Sequence, residues 1–391
     1  MYYYNKFVIN LSLFDREYDL IIIGGGVAGL AAALGAVEAE RKCNILLLEK
    51  NNEFGKNIRG ELIYDDEEIL DIIFPEGLPL HLINIQIATA RYYSPSTKEY
   101  YEKIYTRNKI SIEYRILVQE LIKLILKKGC KISLGTIVTE IEQINNIYSV
   151  INCKFNDNFY SLKTKCIISA DGVKSKLREQ VGLKEPNSIY PMIKTIAENV
   201  KLEDKNRLEF FLTVNPPGVI WIFPKSGDTA EVGFTIFTDF IEEEKFELEK
   251  IFFNHLENYP ILKDRLKNSG IIYQNLDFLP FGGMIYENFI PNIIFIGDSM
   301  GHVGAVGGSG IISSMSIGFL TGNFLANNVN KLTSELFLEL NNNIKKSDIG
   351  KFLKKEMKQA SLIRNLLYKS LGTLEKIDAN WEKIKALMTS R

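Results

Sequence analysis

The sequence predicts an α/β chain: a three-layer domain around a parallel sheet, interrupted by a mostly antiparallel β domain and followed by C-terminal helices. Three observations predict it. Apolar strand-like runs at Tyr18–Ile23, Ile167–Ser169 and Ile293–Ile296 each end in a short glycine piece: Gly24-Gly25-Gly26-Val27-Ala28-Gly29, Ala170-Asp171-Gly172 and Gly297-Asp298. Strands apolar on both faces belong to a covered parallel sheet. From about 186 to 280 the sequence turns strand-rich, with turn signals at Pro216-Pro217-Gly218 and Ser226-Gly227-Asp228. After the third piece the chain reads as helical to its end.

The elements follow in order. Residues 18–50 form a strand–helix–strand unit. Asn51–Asp71 reads as a polar loop entering a helix, and 80–105 as strands of a second sheet. Arg115–Lys128, with Leu117, Leu121, Leu124 and Ile125 at helical spacing, is an amphipathic helix closed by Gly129. Strands are expected at Lys131–Leu134, Ile137–Ile141, Tyr148–Phe155, Phe159–Leu162 and Cys166–Ser169, and a helix near 242–257. The predicted division is an N-terminal extension (1–16, an edge strand being one reading), a discontinuous first domain (17–75, 106–185 and 281–330), a second domain (76–105 and 186–280) and a C-terminal helical region (331–391).

Composition narrows the function. Hydrophobic content of 46%, charged content of 24% and a net charge of −1 are those of an ordinary globular protein, with no basic excess for nucleic acid. Cys43, Cys130, Cys153 and Cys166 form no CxxC pair, and His81, His255 and His302 have no ligand spacing, so neither disulfides nor a metal site is expected. No apolar run approaches the ~18 residues of a membrane span, and Asn5, Lys6, Asn10 and Ser12 break any signal-peptide core. A cytoplasmic location, with possible contact to a membrane surface, is the expectation.

The glycine pieces carry the chemistry. Gly24 allows a tight turn, Gly26 admits a pyrophosphate close to the backbone, and Gly29 clears space between helix and strand. The helix that begins at Val27-Ala28 offers free N–H groups and a positive dipole end to phosphate. Glu49, twenty residues after Gly29 and followed by Lys50, ends the second strand, where a carboxylate accepts from an adenosine ribose and would repel a 2′-phosphate. In the second piece Asp171 accepts hydrogen bonds, Gly172 bends the chain, Ser175 can cap a helix and Arg178 can tie the motif together. In the third, Asp298 can accept from a ribityl hydroxyl. Gly308, Gly310 and Ile311 then open a second helix, whose N-terminus would stabilise negative charge on a reduced flavin. A nicotinamide enzyme has no need of that second helix. The reading is therefore an FAD-binding Rossmann-like domain.

On these motifs the chain resembles the para-hydroxybenzoate hydroxylase-like superfamily and, within it, the geranylgeranyl reductase family, over about residues 18–330. Arg59-Gly60-Glu61 stands where that family has a Cys-Gly-Glu loop near the flavin, and Arg115 is similar to its helix-opening arginine. Val219-Ile220-Trp221-Ile222-Phe223-Pro224-Lys225, with Glu231-Val232-Gly233, resembles its substrate-domain signature, and Gly297 through Ile311 its last glycine segment. The chain departs from the pattern at Arg59, Ala305 and Tyr286.

The resemblance implies an FAD-dependent oxidoreductase that saturates isoprenoid double bonds, needing an apolar substrate and an external reductant, either nicotinamide or a small electron carrier. Trp221, Phe223 and Phe211 are the expected substrate contacts, within a set that also holds Phe210, Phe234 and Phe237. Arg59 can steady a reduced flavin, bind a phosphate headgroup or sit in a surface loop. Arg59 and His302 are the candidate catalytic groups, with no proton donor identified. An aromatic monooxygenase of the same superfamily and a non-catalytic prenyl-lipid carrier are the alternatives. A halogenase would need Trp at 219 and Ile at 223, where the chain has Val219 and Phe223. Finally, lysines 345, 346, 351, 354, 355 and 358 alternate with Phe352, Leu353, Met357, Leu362 and Leu366, a basic amphipathic pattern suited either to an anionic membrane surface or to packing on the domain.

Overall fold

The computed structural model describes residues 13–14, 16–56, 61–145, 147–241 and 246–389. Most of the N-terminal extension, and both Arg59 and Gly60, therefore lie outside the described residues. The chain begins with β1 (Glu17–Ile23), α1 (Val27–Val37) and β2 (Ile45–Leu48). It continues through β3 (Leu62–Tyr64), α2 (Glu68–Ile73), β4 (Ile83–Tyr93), β5 (Tyr100–Ile112), α3 (Tyr114–Lys127) and β6 (Lys131–Ser133). A meander of β7 (Ile137–Gln143), β8 (Ser149–Phe155) and β9 (Asn158–Ser169) leads to α4 (Lys176–Gln180). Then come β10 (Ile189–Glu198), β11 (Arg207–Val214), β12 (Pro217–Pro224), β13 (Ala230–Ile236), α5 (Leu248–Asn258), α6 (Pro260–Leu266) and β14 (Gly270–Pro280). The short pair β15 (Phe289–Ile290) and β16 (Ile293–Phe295) precedes α7 (Ile311–Asn328), α8 (Ser334–Lys346), α9 (Asp348–Arg364), α10 (Leu374–Ala379) and α11 (Trp381–Thr389).

Two sheets organise these elements. The first runs β15-β16-β9-β1-β2-β6, parallel from β16 to β6, with β7 and β8 joined beside β9. Its register sets Ile23 beside Ser169, and Ser169 beside Phe295. The three glycine pieces therefore emerge together at the carboxyl edge of adjacent strands, where open α/β sheets bind their ligands. The second sheet runs β14-β10-β13-β12-β11-β4-β5-β3, antiparallel except where β11 meets β4.

Two boundaries differ from the sequence expectation. β3 and the whole of β5, through Ile112, belong to the second sheet, whereas the division at 75 and 105 assigned β3 and residues 106–112 to the first domain. Lys103 to Lys109 carries polar residues on an exposed face, so the tail of β5 lacks the apolar run that marks a buried strand. The segments at 159–162 and 166–169 are one strand, because Lys163 and Thr164 also pair with β1.

The layer beside the first sheet depends on close helix packing. α1 is buried from Val27 to Ala36 and is built of Gly, Ala, Leu and Val, as expected of a helix apolar on every side. α7 crosses it through glycines. A Cβ on Gly318 would overlap the Ala28 carbonyl, one on Gly322 the Ala32 carbonyl, and one on Gly35 the Phe319 carbonyl. Helix propensity alone favours alanine over glycine by about 1 kcal/mol, whereas overpacking a close crossing costs about 1–3 kcal/mol. Gly322→Ala is therefore expected to lower the denaturant midpoint of unfolding; an increase would show that the crossing is looser than described.

Candidate flavin and substrate site

Each glycine of the first turn has its own task. Gly24 has φ +105°, and a Cβ on it would overlap the Ala170 carbonyl of the neighbouring motif. One on Gly29 would overlap the Gly24 carbonyl, so helix and turn touch directly. Gly26 is different: its φ is an ordinary −77°, and the nearest atom to a Cβ there is the Tyr114 hydroxyl at 4.0 Å. Its missing side chain leaves open space at the N-terminus of α1. Buried Glu49 accepts from the Gly25 N–H at 2.7 Å through one oxygen, and from the Asn51 N–H and side-chain amide through the other. It ties the glycine turn to the end of β2. Lys50 is exposed, and Arg115 is half-exposed, 3.9 Å from Glu53.

The second and third pieces are bolted to each other. Asp171 accepts from the Ser169 hydroxyl at 3.0 Å, and burial pushes its carboxyl upward despite that bond. Gly172, at φ +90°, has nothing within 4 Å of a Cβ position. Ser175 caps α4 by accepting from the Arg178 N–H, and the buried Arg178 guanidinium donates to the carbonyls of Val173 and, at 2.8 Å, Ser299. Gly297 (φ +74°) packs against Ala28 of α1. Its N–H donates to Nδ1 of His302 at 3.0 Å. His302 is 1% exposed, and burial pushes its imidazole down to about 3. It is a neutral acceptor holding the third turn in shape and is not among the residues lining the cavity, which corrects its candidacy as a catalytic group: with a pKa of about 3 it carries no acidic imidazolium proton at neutrality.

The space left by Gly26, Gly172 and Gly307 opens into one cavity of about 280 Å³, faced by the N-termini of α1 and α7. Ala28, Gly297, Asp298, Gly308, Gly310 and Ile311 line it. Two helix dipoles with three open glycine positions suit an elongated anionic dinucleotide, so the residues present fit FAD.

The same cavity continues onto the second sheet. Strand alternation decides which side chains reach it: Met192 and Lys194 from β10, Phe210 and Leu212 from β11, Val219, Trp221 and Phe223 from β12, Glu231 and Thr235 from β13. Phe211 does not. It is fully buried on the opposite face with Phe234, packed with Phe252 and Leu262 of α5 and α6. Its candidacy as a substrate contact fails on parity, since neighbours in a strand point to opposite faces. The indole of Trp221 lies flat across Gly233, where a Cβ would overlap the ring, and its Nε1–H donates to Glu231 at 2.8 Å.

The opposite wall is the C-terminal region. Gln359, Ala360, Ile363 and Arg364 of α9, with Leu367 and Met388, line the cavity. Glu356 accepts from the Val306 N–H at 2.9 Å, and Arg364 donates to the Ala305 carbonyl while its guanidinium lies over the rings of Tyr190, Phe237 and Phe281. The amphipathic pattern therefore packs Leu353, Ala360 and Ile363 on the domain, and leaves Phe352, Leu362 and the lysines of α9 outside.

Around Trp221 lie acid–base groups to which sequence reasoning gave no role: Glu61, Lys225 and Glu231 stood inside the quoted motifs, and Lys194 was not named. Glu231 within Ala230–Ile236 and Lys194 within Ile189–Ala197 were the available signal, charges inside strands that are otherwise apolar.

Two predictions follow from this geometry. Gly26→Val is expected to leave the circular dichroism and melting temperature near those of the wild type while the flavin retained per chain falls severalfold; full retention would mean that the open space is not the cofactor's. Because His302 stays neutral in the fold but takes a proton when unfolded, its contribution to stability is present above its ordinary value near 6.5 and lost as pH falls toward 3. One such group gives at most about 1.4 kcal/mol per pH unit, so His302→Asn is expected to flatten the acid side of the stability–pH curve between pH 6 and 4. An unchanged slope would contradict the neutral buried histidine.

Known proteins share both halves of this site. A family model for the geranylgeranyl reductase catalytic domain matches residues 189–272, and one for an FAD binding domain matches residues 19–59. A digeranylgeranylglycerophospholipid reductase of Methanococcus vannielii is 31% identical over 377 residues, covering 95% of this chain and 93% of that protein. One from Methanocaldococcus jannaschii is 32% identical, covering 78% and 76%. Among solved structures, a geranylgeranyl bacteriochlorophyll reductase-like protein of Thermoplasma acidophilum superposes with a TM-score of 0.80 at 22% identity, covering 95% of this chain and 92% of its own. A flavin-dependent brominase superposes at 0.72 with 16% identity over 95% and 93% of the two chains, a likeness of fold. With its glycine cradle, its inserted sheet and 31% identity to such a reductase over 95% of its length, the chain belongs to the geranylgeranyl reductase family of FAD-dependent oxidoreductases.

Proposed function

We propose that this chain saturates isoprenoid double bonds of a geranylgeranyl-type lipid, with FAD as cofactor. The observation that carries the reading is the continuity of one cavity, in which the glycine cradle opens directly onto an aromatic floor. Gly24, Gly26, Ala28 and Gly29, with Glu49, Lys50 and Arg115, would hold the adenosine and pyrophosphate end. Asp171, Gly172, Gly297, Asp298, Gly308, Gly310 and Ile311 would hold the ribityl and flavin end. FAD, when bound and reduced, supplies a hydride from N5. Trp221 and Phe223, with Phe210, Phe237 and Phe281, would align an apolar polyprenyl chain and exclude water. The names of the relatives support a lipid substrate, since those proteins are reductases of a digeranylgeranyl glycerophospholipid.

An external reductant is required, either nicotinamide or a small electron carrier. Peripheral contact with a membrane is supported by Lys351, Lys354, Lys355 and Lys358 around exposed Phe352 and Leu362 on α9. Among the described residues no helix is long and apolar enough to cross a membrane.

The test is anaerobic. The bound flavin is reduced, and either a geranylgeranyl glycerol ether or oxygen with a phenol is added. Flavin reoxidation by the ether, with a product heavier by two hydrogens per double bond, is expected. Inertness toward every polyprenyl compound, with oxygen-dependent hydroxylation of the phenol, would replace this reading with the monooxygenase.

A further inference from the structure

We infer that Glu231 is the proton donor of the reduction, and that Glu61 and Lys225 connect it to solvent. The inference rests on the proposed reductase reading and adds the half of the reaction that a hydride leaves undone.

The placement comes first. Glu231 is 2% exposed and lies in the cavity floor across from Phe223 in the β12–β13 pairing. One of its oxygens is fixed by the Trp221 Nε1–H at 2.8 Å, leaving the other to carry a proton. Behind it sits a second, small cavity of about 10 Å³, lined by Glu61, Leu62, Ser111, Phe223, Lys225 and Glu231. That volume suits about one water with polar partners on both sides. Glu61 is buried and bonded to the Lys225 ammonium, and Lys225 lies 3.9 Å from Glu113, whose side chain is 40% exposed. A series of exchangeable groups thus runs from solvent at Glu113, through Lys225, to Glu61, with the small cavity between Glu61 and Glu231 as the last step to the substrate.

The charge inventory comes second. Glu61, Glu231 and Asp277 face two ammonium groups, Lys225 and Lys194, the latter 3.2 Å from Asp277. The two buried carboxyls, Glu61 and Glu231, therefore share their cations, Lys225 with Glu113 and Lys194 with the part-buried Asp277, so neither has a positive charge to itself, and a carboxylate so placed is relieved by retaining a proton. The directions agree. Burial raises Glu231 against the pull of Lys194, Trp221 and Lys225. Burial likewise raises Glu61 to about 7 against Lys225, helped by the charges of Glu113 and Glu231. Both shifts favour a proton retained in the cluster, and Glu61, at about 7, can exchange one near neutrality.

The step balances. Glu231 gives its proton to one alkene carbon as the other receives the hydride. The π bond breaks, two C–H bonds form, and the alkene gains the two electrons that the reduced cofactor loses. Glu231 is left as a carboxylate beside Lys194 and Lys225, and recovers its proton through Glu61. Glu231 touches substrate and is a catalytic residue; Glu61 acts through it.

The experiment uses the flavin-loaded full chain. Glu231→Gln keeps an acceptor for Trp221, and its flavin content and affinity for geranylgeranyl glycerol ether, measured by fluorescence quenching, are expected to stay within about threefold of wild type. In infrared spectra without lipid, the wild type at pH 7 is expected to show a carboxylic-acid C=O band that shifts in D₂O and is missing from Glu231→Gln. Anaerobic reoxidation of reduced Glu231→Gln by the ether is expected to be slowed about 10²-fold or more. Glu61→Gln should keep the first-turnover rate, slow repeated turnover, and remove the pH dependence of turnover near 7. A wild-type flavin that the ether does not reoxidise would overturn the reductase reading and this role with it. A wild type that reacts, with Glu231→Gln reacting as fast or lacking no infrared band, would overturn the proton donor alone.

Discussion

The site depends on backbone meeting backbone where side chains are absent. Gly24 lies against the Ala170 carbonyl, Gly29 against the Gly24 carbonyl, and Gly318 and Gly322 of α7 against the carbonyls of Ala28 and Ala32. These contacts draw the first turn, the second motif and both helices into one block. Only in that block do the N-termini of α1 and α7 face the same cavity. Dipoles separated by a layer of ordinary side chains could not act on one ligand, because their effect fades within about a turn. Close packing here is therefore an electrostatic device as well as a source of stability.

On that block the second sheet acts as a patterned wall. β10 to β13 present one residue in two to the cavity and the alternate residues to a core closed by α5 and α6. The cavity face mixes aromatic rings with Lys194 and Glu231, while the other face is apolar around Ile193, Phe211, Val232 and Phe234. A salt-linked group on that hidden side, Arg207 and Arg265 against Glu203 and Glu209, pairs its own charges and has no route to the cavity. Burial of charge alone does not mark chemistry in this protein. Charge that faces the cavity, as Glu231 and Lys194 do, is the charge that chemistry can use.

Much of this was legible in the sequence, and the errors have physical causes. The glycine pieces were readable because each follows a strand buried on both faces, a pattern that survives without knowledge of neighbours. Trp221 and Phe223 were readable as a pair for the same reason: spacing of two keeps them on one face. Phe211 was assigned to that face on chemistry alone, although its place beside Phe210 settles the opposite. His302 stood near the third turn in sequence, but which of its ring atoms meets a backbone N–H is a matter of three-dimensional closure. The cavity's second wall was not legible at all. Nothing in the lysine-rich stretch after 345 says that its apolar side faces Ala305 and Val306, some fifty residues earlier.

That second wall bears on how a greasy substrate could be accommodated. Glu356 and Arg364 are attached to the main chain of Val306 and Ala305, inside the loop that leads to α7. The residues between them, Gln359, Ala360 and Ile363, cover the cavity. A displacement of α9 would therefore pull on the glycine loop at the flavin end, and occupancy at that end would bear on α9. The outer side of α9 carries lysines with Phe352 and Leu362, so a lipid surface would act on the very helix whose inner side lines the cavity. Coupling of this kind needs no hinge elsewhere: one helix, bonded at its middle and its C-terminal end to the backbone of one loop, is sufficient to link the substrate wall to the flavin cradle.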